Sequence, residues 1–183
     1  MLYRQLHKRI HCPMKNYSVL FVCLGNICRS PTAHGVFRHL ISGHGLSDAV
    51  TVDSAGTSNY HPNSPPDARS QVHAARRGYD LSDLRARQIE AADFEKFDLV
   101  LVMDWDNLAQ VKQSCPPEFQ HKLRRFTEFC QQFDSAVVPD PYFGGEAGFE
   151  EVLDLVEDAS TGLLQHVKRQ MSQAAKEVLT PRS

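Results

Sequence analysis

The sequence predicts a single α/β domain built on a mostly parallel sheet that is covered by helices on both faces. Short apolar runs rich in β-forming residues alternate with segments whose apolar residues recur at helical spacing. This alternation is typical of parallel sheets, whose strands are buried on both faces. The chain has 183 residues and a hydrophobic content of 42%, which is sufficient for one buried core without disulfide or metal support.

The first two predicted elements are a strand and a helix joined by a short loop. Ser18–Cys23 (SVLFVC) is a continuous apolar run, the pattern of a buried strand. After Ser30 and Pro31 the apolar residues recur at helical spacing over residues 33–41. A serine suits the N-cap and a proline the first helical position. Residues 23–29 therefore join the end of a strand to the start of a helix.

The middle of the chain contains two further strands and two helices. Val50–Ser54 (VTVDS) and Leu99–Asp104 (LVLVMD) have the composition of buried strands. Between them, a helix is expected over Asp67–Arg77, closed by Gly78, followed by a short helix near Ala91–Phe97. Because parallel strands end at the same edge of a sheet, the loop after the first strand and the end of the third strand should lie together.

The last two elements are a weak strand and a strong helix. Arg125–Phe129 (RFTEF) is interpreted as a fourth strand, although its apolar content is low. Apolar residues from Phe149 to Val167 form a long helical stripe. Gly162 lies inside this stripe, where glycine lowers helix propensity, and we expect a close packing contact there.

Charge and cysteine content exclude several classes of function. Twenty basic and 22 acidic residues give a net charge of -2, so nothing indicates binding to nucleic acid or to an anionic membrane. Five scattered cysteines without a secretory leader predict reduced thiols and a cytoplasmic location. No run is long enough to span a bilayer. Residues 1–17 are interpreted as a basic N-terminal extension, with Met14 as an alternative start, and residues 18–183 as the domain.

The loop after the first strand has the composition of an anion site with a nucleophile. A glycine-containing turn before a helix N-terminus presents several backbone N–H groups to one point. Arg29 adds a planar fork that can hold two oxygens of a tetrahedral oxyanion. Such surroundings favour the nucleophilic thiolate form of Cys23, to which Ser30 could donate its hydroxyl. Asn26 suits a left-handed turn position and can brace the loop.

A second functional group is needed because expelling a poor leaving group from phosphorus requires a general acid. Asp140 is the candidate, since Pro139 and Pro141 on either side would fix the direction of its carboxyl group. Asp53 and Asp104 are competing carboxylates near strand ends. Asp104 is also well placed to cap a helix.

Two motifs at opposite ends of the chain resemble those of the low-molecular-weight protein tyrosine phosphatases. They are CLGNICRSP (residues 23–31) and DPYFGG (residues 140–145), and the likeness extends over about residues 18–168. The resemblance implies a central four-stranded parallel sheet with a phosphate-binding loop after the first strand. It also implies a mechanism without metal or cofactor, in which phosphotyrosine is hydrolysed through a cysteinyl-phosphate.

The resemblance also implies a role for each residue of the site. Cys23 attacks phosphorus, Arg29 holds the phosphoryl oxygens, and Asp140 acts first as acid and then as base. The loop residues that bind phosphate are Leu24, Gly25, Asn26, Ile27, Cys28 and Ser30. Ser54 is expected to hold the loop in shape together with Asn26, and the cleft is expected to be walled by Tyr60, Tyr142 and Phe143.

The role of Cys28 stays open at the level of sequence, and the partners follow from the resemblance. Cys28 is interpreted either as a redox guard that forms a disulfide with Cys23 under mild peroxide, or as a plain buried thiol. The segment after Asp140 is closer to the bacterial branch, and Phe143 limits control by phosphorylation to Tyr142. The expected partner is a tyrosine-phosphorylated protein, with a bacterial tyrosine kinase as one candidate, and the expected state is a monomer or weak dimer.

Three alternatives remain at the level of sequence. An arsenate reductase has a similar fold and loop, but it needs closely placed downstream cysteines, whereas Cys115 and Cys130 are far apart. A phosphate-binding module without catalysis would not need both Cys23 and Asp140. A zinc site formed by Cys23 and Cys28 lacks a further ligand pair at suitable spacing.

Overall fold

The computed structural model describes residues 16–179 and confirms the α/β class. Four parallel strands form one sheet in the order β2-β1-β3-β4. The strands are β1 (Tyr17–Cys23), β2 (Val50–Gly56), β3 (Leu99–Val102) and β4 (Leu123–Arg125). The helices are α1 (Arg29–Gly43), α2 (Ala68–Arg76), α3 (Ala91–Lys96), α4 (Trp105–Ser114) and α5 (Glu146–Leu179), with 3₁₀ helices at Pro117–Lys122 and Phe126–Phe129. None of the helices described is long and apolar enough to cross a lipid bilayer.

The sheet is buried on both faces because successive side chains of its strands point in opposite directions. In β1, Phe21 and Cys23 pack with α1 and α5, whereas Leu20 and Val22 pack with α3 and α4. All four side chains are at most 3% exposed. Complete burial of a side chain such as leucine or phenylalanine contributes about 1.5–3 kcal/mol. The continuous apolar run in the sequence therefore corresponds to a central strand, which carries Cys23 at its end.

Two aspartates begin helices as the sequence predicts. The Asp67 carboxylate accepts a hydrogen bond from the backbone N–H of Arg69 at 2.8 Å, which caps α2. The Asp104 carboxylate accepts one from the N–H of Asn107 at 2.6 Å, which caps α4. Gly78, which follows α2, has a φ of 87° and so uses the left-handed region open to glycine.

The fourth strand differs from the prediction for Arg125–Phe129. β4 covers Leu123–Arg125, and residues 126–129 form a 3₁₀ helix. In a strand, Phe126 and Phe129 would point to opposite faces, whereas one helical turn buries both in the same core. The Glu128 carboxylate fixes this turn by accepting a hydrogen bond from the N–H of Arg125 at 2.9 Å.

The first strand begins one residue earlier than the predicted Ser18–Cys23. Tyr17, assigned to the extension from sequence, is the first residue of β1, and its N–H donates to the carbonyl of Ala49 at 2.9 Å. Residues 1–15 of the predicted extension, together with the alternative start at Met14, lie outside the described residues. The division into an extension and a phosphatase domain beginning at residue 18 stays a prediction.

Gly162 lies at a close contact between α5 and the 3₁₀ helix at Phe126–Phe129. A Cβ atom at this position would overlap the carbonyl oxygen of Phe129. That oxygen belongs to the backbone, which cannot move away as cheaply as a side chain can. The close packing contact expected at Gly162 is therefore confirmed.

Replacing Gly162 with alanine is expected to lower the free energy of unfolding by about 1–3 kcal/mol, because overpacking at the Phe129 carbonyl outweighs the gain in helix propensity. Urea unfolding of the purified variant measures the change. Gly43→Ala is the matched control, since a Cβ at the end of α1 meets nothing within 4 Å. Equal stability of Gly162→Ala and wild type would contradict the expectation.

Candidate active site

The loop between β1 and α1 uses its carbonyl groups but leaves most of its N–H groups unbonded. The carbonyl of Leu24 accepts from the N–H of Ser58 at 2.9 Å, and that of Ile27 from the N–H of Asp67 at 2.8 Å. Within residues 16–179, no acceptor is found for the backbone N–H groups of Leu24, Gly25, Ile27 and Cys28. N–H groups left without partners at a helix start are suited to bind an anion.

Cys23 lies at the base of this loop, and its sulfur contacts hydrogen-bond donors. The Sγ atom is 3.0 Å from the hydroxyl oxygen of Ser30 and accepts from the N–H of Asn26 at 3.3 Å. The hydroxyl oxygen of Ser30 also accepts from the side-chain amide of Asn26 at 2.9 Å. The single hydroxyl proton of Ser30 can then point either at the sulfur or at the carbonyl oxygen of Ala55, 3.2 Å away. When it points at the sulfur, it stabilises a thiolate together with the N–H of Asn26.

Ser30 does not cap α1, contrary to the prediction. The helix begins at Arg29, its N-cap is Cys28, and no side chain caps it. Ser30 lies in the first turn and is fully buried. Its hydroxyl is directed to the Cys23 sulfur and to the carbonyl of Ala55, at 3.0 and 3.2 Å. The serine therefore contacts the predicted nucleophile instead of the end of the helix.

Asn26 has the left-handed conformation that the sequence predicts, with a φ of 53°. Its side-chain oxygen accepts a hydrogen bond from the N–H of Arg87 at 3.0 Å, so the loop is held from behind by the segment after α2. Ser54, the other predicted support, has its hydroxyl 3.4 Å from Nδ1 of His34. Burial lowers the pKa of His34 to about 4. The imidazole is thus neutral near pH 7, and the support role of Ser54 stays a prediction.

Arg29 joins the loop to two carboxylates from distant parts of the chain. Its Nη1 donates to Asp104 Oδ2 at 2.5 Å and to the carbonyl of Val138 at 3.2 Å, and its Nη2 donates to Asp140 Oδ2 at 3.1 Å. Burial opposes the charge of this guanidinium, but the neighbouring sulfur of Cys23 and the two carboxylates outweigh burial and raise the pKa of Arg29. The site therefore holds a permanent, buried cation beside the sulfur.

A cavity of about 330 Å³ opens above the loop. It brings together the three predicted catalytic residues, Cys23, Arg29 and Asp140, with the three predicted wall residues, Tyr60, Tyr142 and Phe143. The aromatic side chains are unusually open to solvent, with Tyr60 72% and Phe143 95% exposed.

The cavity is also lined by Leu24, Gly25, Ile27 and Cys28. Three other predicted residues, Asn26, Ser30 and Ser54, are buried and do not line it. His61 is a lining residue that the sequence analysis missed. A Cβ on Gly25 would lie 3.2 Å from the His61 ring, so the imidazole packs against the turn.

The remaining cysteines differ in their relation to the cavity. Burial raises the pKa of Cys28 to about 12, with the Ser70 hydroxyl acting in the opposite direction, so this side chain stays a thiol at neutral pH. Its predicted redox role stays a prediction. Cys115 packs in the core beneath α4, and Cys130 contacts the carbonyl of Leu155 in α5. Neither lines the cavity, so neither is placed for the relay that an arsenate reductase needs.

The described part of the chain contains no group of three or more histidine, cysteine or carboxylate side chains placed to share a metal ion. The arrangement around Cys23 instead consists of one sulfur, one guanidinium, free backbone N–H groups and one half-exposed carboxylate. Such a set can bind a phosphoryl group, attack it and move a proton.

Comparison with known proteins gives a consistent result. Residues 18–173 match the family model described as low molecular weight phosphotyrosine protein phosphatase. The chain is 43% identical over 161 residues to the low molecular weight protein-tyrosine-phosphatase of Streptomyces coelicolor, covering 85% of this chain and 96% of that protein. It is 42% identical over 138 residues to the human low molecular weight phosphotyrosine protein phosphatase, covering 74% and 85% of the two chains.

Solved structures agree with the sequence relatives. The crystal structure of a protein tyrosine phosphatase from Entamoeba histolytica superposes with a TM-score of 0.82 at 39% identity, covering 85% of this chain and 99% of that one. The crystal structure of YfkJ from Bacillus subtilis superposes with a TM-score of 0.78 at 35% identity, covering 85% and 97%.

Proposed function

The chain belongs to the low molecular weight phosphotyrosine protein phosphatase family, and we propose that Cys23, Arg29 and Asp140 carry out its reaction. The enzyme is a protein tyrosine phosphatase, and its substrates are phosphoproteins. The observation that carries the residue assignment is the cavity in which the Cys23 sulfur, the Arg29 guanidinium and the Asp140 carboxyl group meet.

In the first step, the Cys23 thiolate attacks phosphorus and the P–O bond to the tyrosine side chain breaks. Asp140 gives its proton to the departing oxygen, so that neutral tyrosine leaves. The phosphoryl group is now bound to sulfur as a cysteinyl-phosphate. Arg29 and the free N–H groups of the loop stabilise the charge on the equatorial oxygens.

In the second step, the ionised Asp140 takes a proton from a water molecule as the water oxygen attacks phosphorus. The P–S bond breaks, inorganic phosphate forms, and the sulfur leaves as a thiolate. Ser30 and the N–H of Asn26 stabilise this leaving group through their contacts with Sγ. Asp140 ends the cycle protonated and Cys23 ionised, as they began.

The walls of the cavity favour an aryl substrate. Tyr60, Tyr142 and Phe143 surround the opening and are all partly or largely exposed, so a phenyl ring can pack between them. Cys23 lies at the base of the loop, and the residue is 3% exposed. A phosphoserine side chain is shorter than phosphotyrosine and offers no ring, and it is expected to be a much poorer substrate.

Replacing Asp140 with asparagine tests the assignment of the general acid. An amide cannot protonate the leaving group, so kcat/KM for phenyl phosphate should fall by about 10²–10⁴-fold. A nitrophenyl phosphate, whose leaving group is a weaker base and needs less protonation, should be affected much less. Steady-state release of phosphate from both compounds measures the difference.

The matched control is Asp106→Asn, because Asp106 is an exposed aspartate of α4, and this variant should leave both rates unchanged. Equal slowing of both substrates by Asp140→Asn would exclude the acid role. Release of phosphate from phosphotyrosine and phosphoserine peptides by wild type completes the test, and equal rates would contradict the preference for aryl substrates.

For partners and location, the proposal is a tyrosine-phosphorylated protein of the cytoplasm, with a bacterial tyrosine kinase as one candidate. A reducing compartment would protect the Cys23 sulfur from oxidation, and the bacterial partner is suggested by the segment after Asp140, which is closer to the bacterial branch of the family. The proposed oligomeric state is a monomer or weak dimer.

A further inference from the structure

Arg69 lies in the first turn of α2 and connects two segments that flank the active-site cavity. Its Nε and Nη2 donate to the two oxygens of the Asp67 carboxylate, at 3.0 and 2.9 Å. Its Nη1 donates to the carbonyl of Tyr142 at 3.1 Å. The guanidinium also lies over two aromatic rings, 4.9 Å from the centre of Phe149 and 5.5 Å from that of Tyr142.

Each end of this connection reaches a group of the proposed mechanism. On one side, the N–H of Asp67 donates to the carbonyl of Ile27 in the phosphate-binding loop at 2.8 Å. On the other side, the N–H of Tyr142 donates to Asp140 Oδ1 at 3.1 Å. The path from the nucleophile loop to the general acid is therefore continuous through Asp67, Arg69 and Tyr142.

The direct contact between Arg29 and Asp140 cannot hold Asp140 in place once substrate is bound. In the proposed mechanism Arg29 turns its donors to the phosphoryl oxygens, so its 3.1 Å contact with Asp140 is weakened when substrate binds. The contacts through Tyr142 and Arg69 involve no atom that the substrate needs. They remain when the acid must be in place.

We propose that Arg69 is a positioning residue that holds the segment of Asp140 against the phosphate-binding loop, an inference that rests on the proposed function. An arginine suits this position because its planar fork can grip a carboxylate with two N–H groups and still donate to a carbonyl. It also stacks on aromatic rings. A misplacement of a reacting group by about 1 Å can cost up to about a hundredfold in rate.

The test compares two substrates that differ in their need for the acid, phenyl phosphate and p-nitrophenyl phosphate. Arg69→Ala should lower kcat/KM for phenyl phosphate by about tenfold or more and that for p-nitrophenyl phosphate by less than about threefold. Asp67→Asn should also lower kcat/KM more for phenyl phosphate than for p-nitrophenyl phosphate. Asparagine keeps the oxygen that caps α2 but loses the second carboxylate oxygen, which accepts from Arg69 Nη2.

Arg38→Ala is the matched control. Arg38 grips Asp83 with two N–H groups at 2.7 and 2.8 Å and donates to the carbonyl of Asp80 at 2.8 Å, away from the cavity. Arg38→Ala should therefore leave kcat/KM unchanged for both substrates, or lower it by the same factor for both. Thermal unfolding of each variant measures how much stability the links contribute.

The inference would be overturned if Arg69→Ala left kcat/KM unchanged for both substrates, or lowered it equally for both. This failure is distinct from failure of the proposed function. If the proposed function failed, the wild-type enzyme itself would release no phosphate from phenyl phosphate, or Asp140→Asn would lower kcat/KM equally for both leaving groups.

Discussion

Cys23→Ser is expected to abolish release of phosphate from phosphotyrosine peptides while leaving their binding intact. A serine hydroxyl is not ionised at neutral pH, and the groups that contact Sγ, the hydroxyl of Ser30 and the N–H of Asn26, are donors that cannot remove its proton. The variant should therefore lose the covalent step, with a fall in kcat of more than about a thousandfold.

Two measurements check this expectation together. Phosphate release gives the loss of turnover, and titration calorimetry with a phosphotyrosine peptide gives the affinity. Binding should persist because the Arg29 guanidinium and the free N–H groups of the loop are unchanged. Cys130→Ser is the matched control, since Cys130 lies outside the cavity and should tolerate the same change. Turnover in Cys23→Ser close to that of wild type would refute the nucleophile assignment.

Arg29→Lys should also cause a large loss, although the charge is kept. The Arg29 guanidinium donates to Asp104, to the carbonyl of Val138 and to Asp140 from two different nitrogen atoms. A lysine ammonium is a single point on a flexible stem, so it cannot keep these contacts and also hold two phosphoryl oxygens. We expect kcat/KM to fall by about 10²–10³-fold, the cost of losing one such donor in the transition state.

Steady-state kinetics with phosphotyrosine measures the loss, and thermal unfolding shows whether the fold survives. Arg38→Lys is the matched control, because Arg38 makes a similar grip on Asp83 away from the cavity. Activity of Arg29→Lys within a few-fold of wild type would mean that the charge alone suffices and that the planar fork has no special role.

The parts of the fold and site that the sequence predicts well are those in which neighbouring residues decide the structure. A buried strand, a turn at Asn26 and the start of a helix follow one another in residues 18–31, and each is recognisable from local composition. For the same reason the caps at Asp67 and Asp104 were predictable. The roles of Cys23, Arg29 and Asp140 stay predictions, which rest on the composition of the loop, on the prolines beside Asp140 and on the family likeness.

The parts that sequence could not predict depend on contacts between distant segments. The sequence predicts that Asp104 lies near the loop after β1, because β1 and β3 end at one edge, but it does not predict that the carboxylate capping α4 also binds Arg29. Arg69 gives no signal in the sequence because its partners Tyr142 and Phe149 lie more than 70 positions away. The error at Phe126–Phe129 has the same origin, since burial of both rings in one core decides the backbone there.

The brace behind the phosphate-binding loop also has a consequence for the end of the catalytic cycle. Because Asn26 is held by the N–H of Arg87 and the carbonyls of Leu24 and Ile27 are bonded, contacts within the chain itself fix the shape of the loop. Little ordering entropy is then lost on binding. A ready-made cradle does not distinguish the phosphoryl group of a substrate from free orthophosphate. We therefore expect the phosphate product to compete with substrate for the loop.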